Sequence, residues 1–296
     1  MTFISPYARS AGSLVGLAIG DALGAPLEGL PPPAYPVTGM ESGGIHHIAR
    51  GTTTDDTDQA CAVARSLVIC RGYSPADLMQ RLIAAYLRQP EFYGPTSSTV
   101  FRLVLSGVPL TDAAQYAHEC TGQSRSNGAV MRGPPIGIFY PPSRVREVSC
   151  ACARLTHHDP VAQECSAFVN RMVSELVRGG SPERAYFHAL SSCENSEVRS
   201  GLVEIRALPL VPSLDALDAT RCALAAFLFS PSFEAAVTAA VNLGGDADTI
   251  GAICGALAGA RYGYPAIPVR WRCALRGRAP LLALAKDLHL AAQGRP

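Results

Sequence analysis

The stretch DADTIGAICGALAGARYG, Asp246 to Gly263, decides the fold. Gly251, Gly255 and Gly259 recur at every fourth position, so a helix would carry them on one face. Glycine is less favourable than alanine in a helix by about 1 kcal/mol per residue, and a helix with three of them must regain that through a backbone packed close against the bare face. In a bilayer such a stripe would suggest a dimer seam. The run from Ile250 to Ala260 is too short to span one, however, and Asp248 and Arg261 bound it. The expectation is a helix buried in a helical core.

Working outward, apolar residues at helical spacing recur in ARSAGSLVGLAIGDAL, DQACAVARSLVICR, ADLMQRLIAAYLR, VAQECSAFVNRMVSELVR, DALDATRCALAAFLF and SFEAAVTAAVNL, whereas strand-like alternation is scarce. Between these runs stand short punctuators such as LPPPAYP, RQPEFYGP, RGPP, YPPS, RGGSP and SPS, none long enough to be a linker. The sequence therefore predicts an all-α protein, one compact domain over residues 1–296. Hydrophobic residues make up 48% of the chain and charged ones 17%, and 25 basic against 24 acidic residues leave a net charge of +1. That balance gives no electrostatic reason to bind nucleic acid or an anionic membrane. The ten cysteines are scattered, without a C-x-x-C pair, and are expected to be reduced thiols in the cytoplasm. The first residues lack a basic segment ahead of their apolar run, which Asp21 is expected to interrupt before it could cross a membrane. A cytoplasmic monomer is the expectation.

The front of the glycine-faced helix is chemically different from its body. In NLGGDADT a Gly-Gly turn delivers Asp246, Asp248 and Thr249 to the helix start. A second oxygen-rich stretch, GTTTDDTDQA from Gly51 to Ala60, offers Thr54, Asp55 and Asp56 ahead of its own apolar run. Either alone reads as helix capping, because Thr and Asp accept from the free N–H groups of a first turn. If the two starts face each other, four carboxylates and two hydroxyls converge with no His or Cys. Oxygen-only ligation suits hard cations, Mg²⁺, Mn²⁺ or Ca²⁺, rather than zinc, and so much negative charge suits two divalent ions better than one. Glu28, in GDALGAPLEG, is a further acidic candidate.

The segments GLAIGDALGAPLEG, GTTTDDT, SNGAVMRGPPIG, THHDPVA and NLGGDADTIGAICGALAGARYG resemble, in order and approximate spacing, the ADP-ribosylglycohydrolases, a family that includes the dinitrogenase-reductase-activating glycohydrolases. The resemblance runs from about residue 12 to 265, and its most specific part is the pairing of T-D-D-T with G-G-D-x-D-T. It implies an all-α, single-domain bundle of orthogonally packed helices and a binuclear Mg²⁺ or Mn²⁺ centre that holds the ribose of a protein-linked ADP-ribose. Matched motif by motif, Thr54, Asp55, Asp56, Asp246, Asp248 and Thr249 are similar to the family's metal site, with Glu28 a ligand or part of a movable flap. Gly94, Thr96, Ser97 and Ser98 in YGPTSSTVF resemble its phosphate-contacting loop, a helix start with free N–H groups. Ser126, Asn127 and Gly128 resemble its ligand-lining turn, with Ser126 where glycine is frequent, and His157 its nucleotide-pocket histidine.

The implied reaction is hydrolysis of ADP-ribose from a modified protein side chain, arginine first and serine or threonine next, releasing free ADP-ribose. Asp55, Asp56 and Glu28 are the candidates for proton exchange with water. A rival reading is an HD-type phosphohydrolase built on His46, His158 with Asp159, and Asp248, which leaves the Thr54 to Asp56 stretch unexplained. A binder of ADP-ribose, or a structural protein of the crystallin kind on the same scaffold, would tolerate loss of the acidic residues, and this chain retains them.

Overall fold

Helix starts in this protein follow two rules that the sequence spells out. Proline, whose fixed φ and missing N–H suit a first turn, opens α1 (Pro6–Gly24), and the oxygen-rich stretch at Asp55 opens α2 (Asp55–Cys70). Proline again opens α3 (Pro75–Tyr86) and α4 (Pro95–Leu105), which α5 (Ala113–Thr121) and the short α6 (Gly128–Met131) follow. Three more proline starts give α7 (Pro134–Phe139), α8 (Pro142–Arg154) and α9 (Pro160–Val177). After α10 (Pro182–Ser191) and α11 (Ser196–Val203) come α12 (Ala216–Leu228), α13 (Phe233–Val241), α14 (Ala247–Tyr262), α15 (Val269–Ala274) and α16 (Arg278–Gln293). The computed structural model describes residues 4–122 and 124–294. Among them β-pairing is confined to isolated bridges, so the all-α reading holds.

The centre of the molecule is the pair α1 and α14. Both are buried along nearly their whole length, Ser10 to Gly24 and Ala247 to Ala260. They run antiparallel with backbones in contact: a Cβ built on Gly255 would fall 2.0 Å from the carbonyl oxygen of Gly16, one on Gly259 1.9 Å from that of Gly12, and one on Gly20 1.9 Å from that of Gly251. The glycine stripe of α14 thus meets a matching stripe in α1, Gly12, Gly16, Gly20 and Gly24. At the far end the Arg9 guanidinium donates to the carbonyl oxygens of Ala260 and Arg261, satisfying acceptors that the end of α14 would leave open.

Around this pair, α9 and α2 complete the interior. α9 is buried on most of its length and packs against α7, α8, α10 and α14, while α2 lies against α3, α7 and α16. Pro6–Leu27 does have the length and apolarity of a membrane span, Asp21 notwithstanding, but from Ser10 to Leu27 it is buried inside the molecule. All ten cysteines are free. Two isolated bridges, Leu30 with Gly245 and Ser126 with Asp215, each fasten a loop beside the start of α14 or α12.

Candidate active site

Asp21 is the residue from which the site is assembled. It sits near the end of α1, fully buried, and its carboxylate accepts from the Thr54 N–H (2.9 and 3.1 Å), the Thr54 hydroxyl (3.0 Å), the Thr57 N–H (3.1 Å) and the Thr57 hydroxyl (2.5 Å). A residue of one helix therefore caps another. Thr54, at the N-cap position of α2, makes no capping bond of its own, and neither does Asp246 at the start of α14. At seven other starts the ordinary pattern holds, since Ser5, Ser74, Asp159, Ser181, Asn195, Asp215 and Ser232 each accept from an N–H of the first turn they precede. At the two oxygen-rich starts the side chains are turned to something else.

They are turned to each other. The Thr249 hydroxyl of α14 donates to Asp56 Oδ2 of α2 at 3.4 Å, and the Thr54 hydroxyl donates to the same oxygen at 3.3 Å. Asp55 Oδ2 accepts from Gln59 Nε2 at 2.8 Å, and Asp246 Oδ2 accepts from Asn127 Nδ2. Asp248 Oδ1 accepts from the Thr249 N–H at 2.9 Å. Glu28, Asp246 and Asp248 each offer an oxygen within 4.8 Å of the others, the one such grouping of His, Cys, Asp or Glu ligand atoms among the described residues.

Burial and mutual repulsion push these carboxyls upward. Asp21 rises to about 7, by burial against the pull of the Thr57 hydroxyl, and Glu28 rises to about 8, by burial and then by Asp248. Asp55, Asp56 and Asp246 are held well above the usual carboxylate range for the same two reasons in the same order. Asp56 Oδ1 is buried with no hydrogen-bond partner among the described residues. An acceptor left in this state costs about 1–3 kcal/mol, more when charged. The donor set is all oxygen, and cations would relieve both the repulsion and the orphaned atom, so these residues fit hard divalent ions.

Opposite the acids, a pocket of about 570 Å³ is closed by the start of α4 and the turn before α6. That volume is in the range of small-molecule sites. Gly94, Thr96, Ser97, Ser126, Asn127 and Gly128 line this wall, while Glu28, Asp55, Asp56, Asp246, Asp248 and Thr249 line the other. Gly94 provides no side-chain cap to α4, so the first-turn N–H groups of Thr96 and Ser97 are available to an anion.

Three expected site residues are not on the pocket wall. Thr54 is spent on Asp21 and Asp56, and Ser98 donates its hydroxyl back to the Tyr93 carbonyl at 3.1 Å. His157, expected to line the nucleotide pocket, is wholly buried and reaches the wall only through Ser126 Oγ, 2.9 Å from its Nε2. The HD-type set does not assemble either: Asp159 caps α9, His158 stacks on His118 at 5.5 Å, and His46 lies 3.5 Å from Glu28.

Other residues at the site escaped the sequence reading. Asp21 lies inside an apolar helical run, where a lone carboxylate was itself a signal, because it needs partners to be buried. Arg125 lines the pocket between Asp215 (2.5 Å) and Glu197 (2.7 Å), and no local pattern announces that trio. His46, which the sequence offers only to the HD-type alternative, lines the pocket as well, edge-on to Phe92 at 5.2 Å.

The profile of the ADP-ribosylglycohydrolase family matches residues 4–296. The chain is 30% identical over 283 residues to the ADP-ribosyl-dinitrogen reductase glycohydrolase of Rhodospirillum rubrum, covering 92% of this chain and 91% of that one. It is 30% identical over 303 residues to the ADP-ribosylarginine hydrolase Tri1 of Serratia proteamaculans, covering 96% and 80%. To human ADP-ribosylhydrolase ARH3 it is 27% identical over 288 residues, covering 80% and 78%. Among solved structures, one described as an ADP-ribosylglycohydrolase-related protein complex superposes with a TM-score of 0.85 at 34% identity, covering 97% of this chain and 99% of that one. With a family profile matched from end to end, relatives at this identity along most of the chain and the same helical architecture, this chain belongs to the ADP-ribosylglycohydrolase family.

Proposed function

We propose that the chain hydrolyses the bond between ADP-ribose and a modified protein side chain, with two Mg²⁺ or Mn²⁺ ions held by Thr54, Asp55, Asp56, Asp246, Asp248 and Thr249. The observation that carries this reading is Asp56 Oδ1, buried and unpartnered among carboxylates that repel one another at the edge of the pocket. The cations would supply charge neutralisation and Lewis-acid chemistry at the ribose hydroxyls. The protein's own groups do the rest. The start of α4 and the Ser126–Gly128 turn bind the diphosphate, which leaves the ribose toward the acids. Cleavage at the ribose anomeric carbon passes through an oxocarbenium-like state, which nearby carboxylates stabilise. Asp55 has one oxygen tied to Gln59 and one free, and with Asp56 it is suited to take the proton of the attacking water. Glu28, at the mouth and the least buried of the group, is suited to exchange a proton with the departing side chain.

Charge favours arginine as that side chain. Glu28, Asp246 and Asp248 bring acidic oxygens together at the pocket, where a guanidinium meets opposite charge and a serine or threonine hydroxyl does not. The name of the Serratia relative agrees with an arginine linkage, and that of the Rhodospirillum relative with a modified protein. The free thiols suit a reducing compartment, so the proposed location is the cytoplasm.

The test offers the purified protein Mg²⁺ or Mn²⁺ with arginine-, serine- and threonine-linked ADP-ribosyl peptides in parallel. Release of ADP-ribose should be fastest from the arginine linkage and should stop on chelation. Release from none of the three, or undiminished release in metal-free buffer, would overturn the proposal.

A further inference from the structure

Arg132 is a wholly buried cation, at 0% exposure, and no acidic group among the described residues pairs with it. Guanidinium can only donate, so every group around it must present an oxygen. On one side its Nη1 donates to Gln59 Oε1 at 3.2 Å, which turns the Gln59 amide nitrogen outward to donate to Asp55 Oδ2 at 2.8 Å. On the other side its Nη2 donates to the Cys152 carbonyl at 2.9 Å and to Thr156 Oγ1 at 2.7 Å.

The second arm continues. Thr156 is wholly buried, and once its oxygen has accepted from Arg132 its own proton has one acceptor among the described residues, His157 Nδ1 at 2.7 Å. Nδ1 is then an acceptor, so the imidazole, which burial keeps neutral, carries its proton on Nε2. Nε2–H donates to Ser126 Oγ at 2.9 Å, Ser126 donates to Thr96 Oγ1 at 3.1 Å, and the Thr96 proton is left facing the pocket. With the opposite tautomer each of these bonds would reverse, and the Thr156 proton would have no acceptor.

We propose that Arg132 is a positioning residue that sets the proton order of this chain, Arg132 to Thr156 to His157 to Ser126 to Thr96, so that the phosphate wall meets a diphosphate with a hydroxyl donor. Its other arm presents Gln59 as a donor to Asp55. One buried cation thereby fixes the hydrogen-bond polarity of both walls: a hydroxyl donor toward the anionic end of the ligand and an amide donor behind Asp55 at the other. The role given to the diphosphate rests on the proposed hydrolysis of ADP-ribose; the proton order does not.

Removing Arg132 would endanger the fold, so Thr156→Val, close in volume, carries the test, with Thr156→Ser as its rescue. Side-chain nitrogen NMR of the ligand-free protein should find His157 as the Nε2–H tautomer in the wild type and in Thr156→Val should find that preference lost. Binding of ADP-ribose by Thr156→Val should weaken about tenfold while binding of adenosine, which lacks the diphosphate, stays unchanged, and Thr156→Ser should recover both properties. An Nδ1–H tautomer in the wild type, or equal loss of ADP-ribose and adenosine binding in Thr156→Val, would overturn the proposal. A wild-type protein that binds no ADP-ribose yet shows the Nε2–H tautomer, lost in Thr156→Val, would refute the diphosphate reading and support the proton order.

Discussion

The helices α1 and α14 lie side by side, and the two parts of their contact are opposites. Along the seam, Gly12, Gly16 and Gly20 face Gly259, Gly255 and Gly251 with no side chain between them. Where that contact opens toward the pocket, Asp21, Asp246 and Asp248 crowd charge into a space that disfavours it. One region is held by the absence of side chains, the other strained by their presence. The difference teaches where each property resides: a contact of backbone on backbone cannot yield, and such a support is what a set of mutually repelling carboxylates needs to stay at fixed spacing. Stability should depend on the seam and function on the cluster.

The largest effect should come from the seam. Gly255→Val would put a branched side chain where even a Cβ lies 2.0 Å from the Gly16 carbonyl oxygen, so the helices must separate. The expected cost exceeds about 5 kcal/mol, the order of the whole stability of many domains, and should appear as insoluble protein or a lost cooperative melting transition. A variant that melts like the wild type would dissolve the comparison at its first term.

Asp248→Asn should act the other way. It removes one charge from the cluster while leaving an oxygen in place, so hydrolysis should fall by about 100-fold or more while metal-free stability holds or rises by about 1 kcal/mol. Asp56→Asn should do the same from the opposite helix. Parallel losses of activity with unchanged far-UV circular dichroism would place both helix starts in one site, and wild-type turnover would return them to the status of ordinary helix starts.

Titration sharpens the contrast further. Asp21 and Glu28 lie at about 7 and 8 in the folded protein and near 4 when unfolded, so between those values the folded state binds more protons. Stability of the metal-free protein should therefore fall as pH rises from 4 to 8. Saturating Mg²⁺ or Mn²⁺ should flatten the slope by favouring the ionised carboxylates. Melting temperatures across this range, with and without the ions, measure the effect; a metal-free slope of the opposite sign would show that the acids are not held protonated.

The smallest effect belongs to a helix start that caps in the ordinary way, Asp159, which lies on the pocket wall but outside the acidic cluster. Asp159 Oδ1 accepts from the Val161 N–H at 2.8 Å, and Asp159→Ala should cost about 1 kcal/mol with no change in metal affinity. Set against Asp248→Asn, it separates the two uses of the same residue type by thermal unfolding and metal titration.

Much of the fold was legible in the sequence wherever the signal was local. Periodicity marked α1, α2, α3, α9, α12 and α13 and glycine spacing marked α14, while several prolines that read as turn punctuators open helices in the structure. The pairing of Thr54 to Asp56 with Asp246 to Thr249 could be suspected because both stretches were too rich in oxygen for caps alone. What stayed hidden depended on contacts between distant parts of the chain. Only half of the glycine seam stood out, because in α1 the matching glycines are diluted by large apolar residues. Arg132 follows an ordinary-looking Val-Met and shows its importance only when Gln59 and Thr156 are brought to it. Asp215 reads as a cap for α12, which it is, and its second contact with Arg125 has no trace at residue 125. His157 was found by resemblance, and its burial behind Ser126 could not be read from spacing.

The seam also governs how the protein comes into being. Arg9 and Arg261, which meet at one end of it, are 252 residues apart in the chain. At about 5–20 residues per second, the ribosome takes on the order of 10 to 50 s to supply α14 after α1 has been made. Through that interval Pro6–Leu27, which carries the length and hydropathy of a membrane segment, lacks the helix it packs against most extensively. A nascent chain in this state exposes apolar surface that its own later residues must cover, and its centre can close only after α14 has been made.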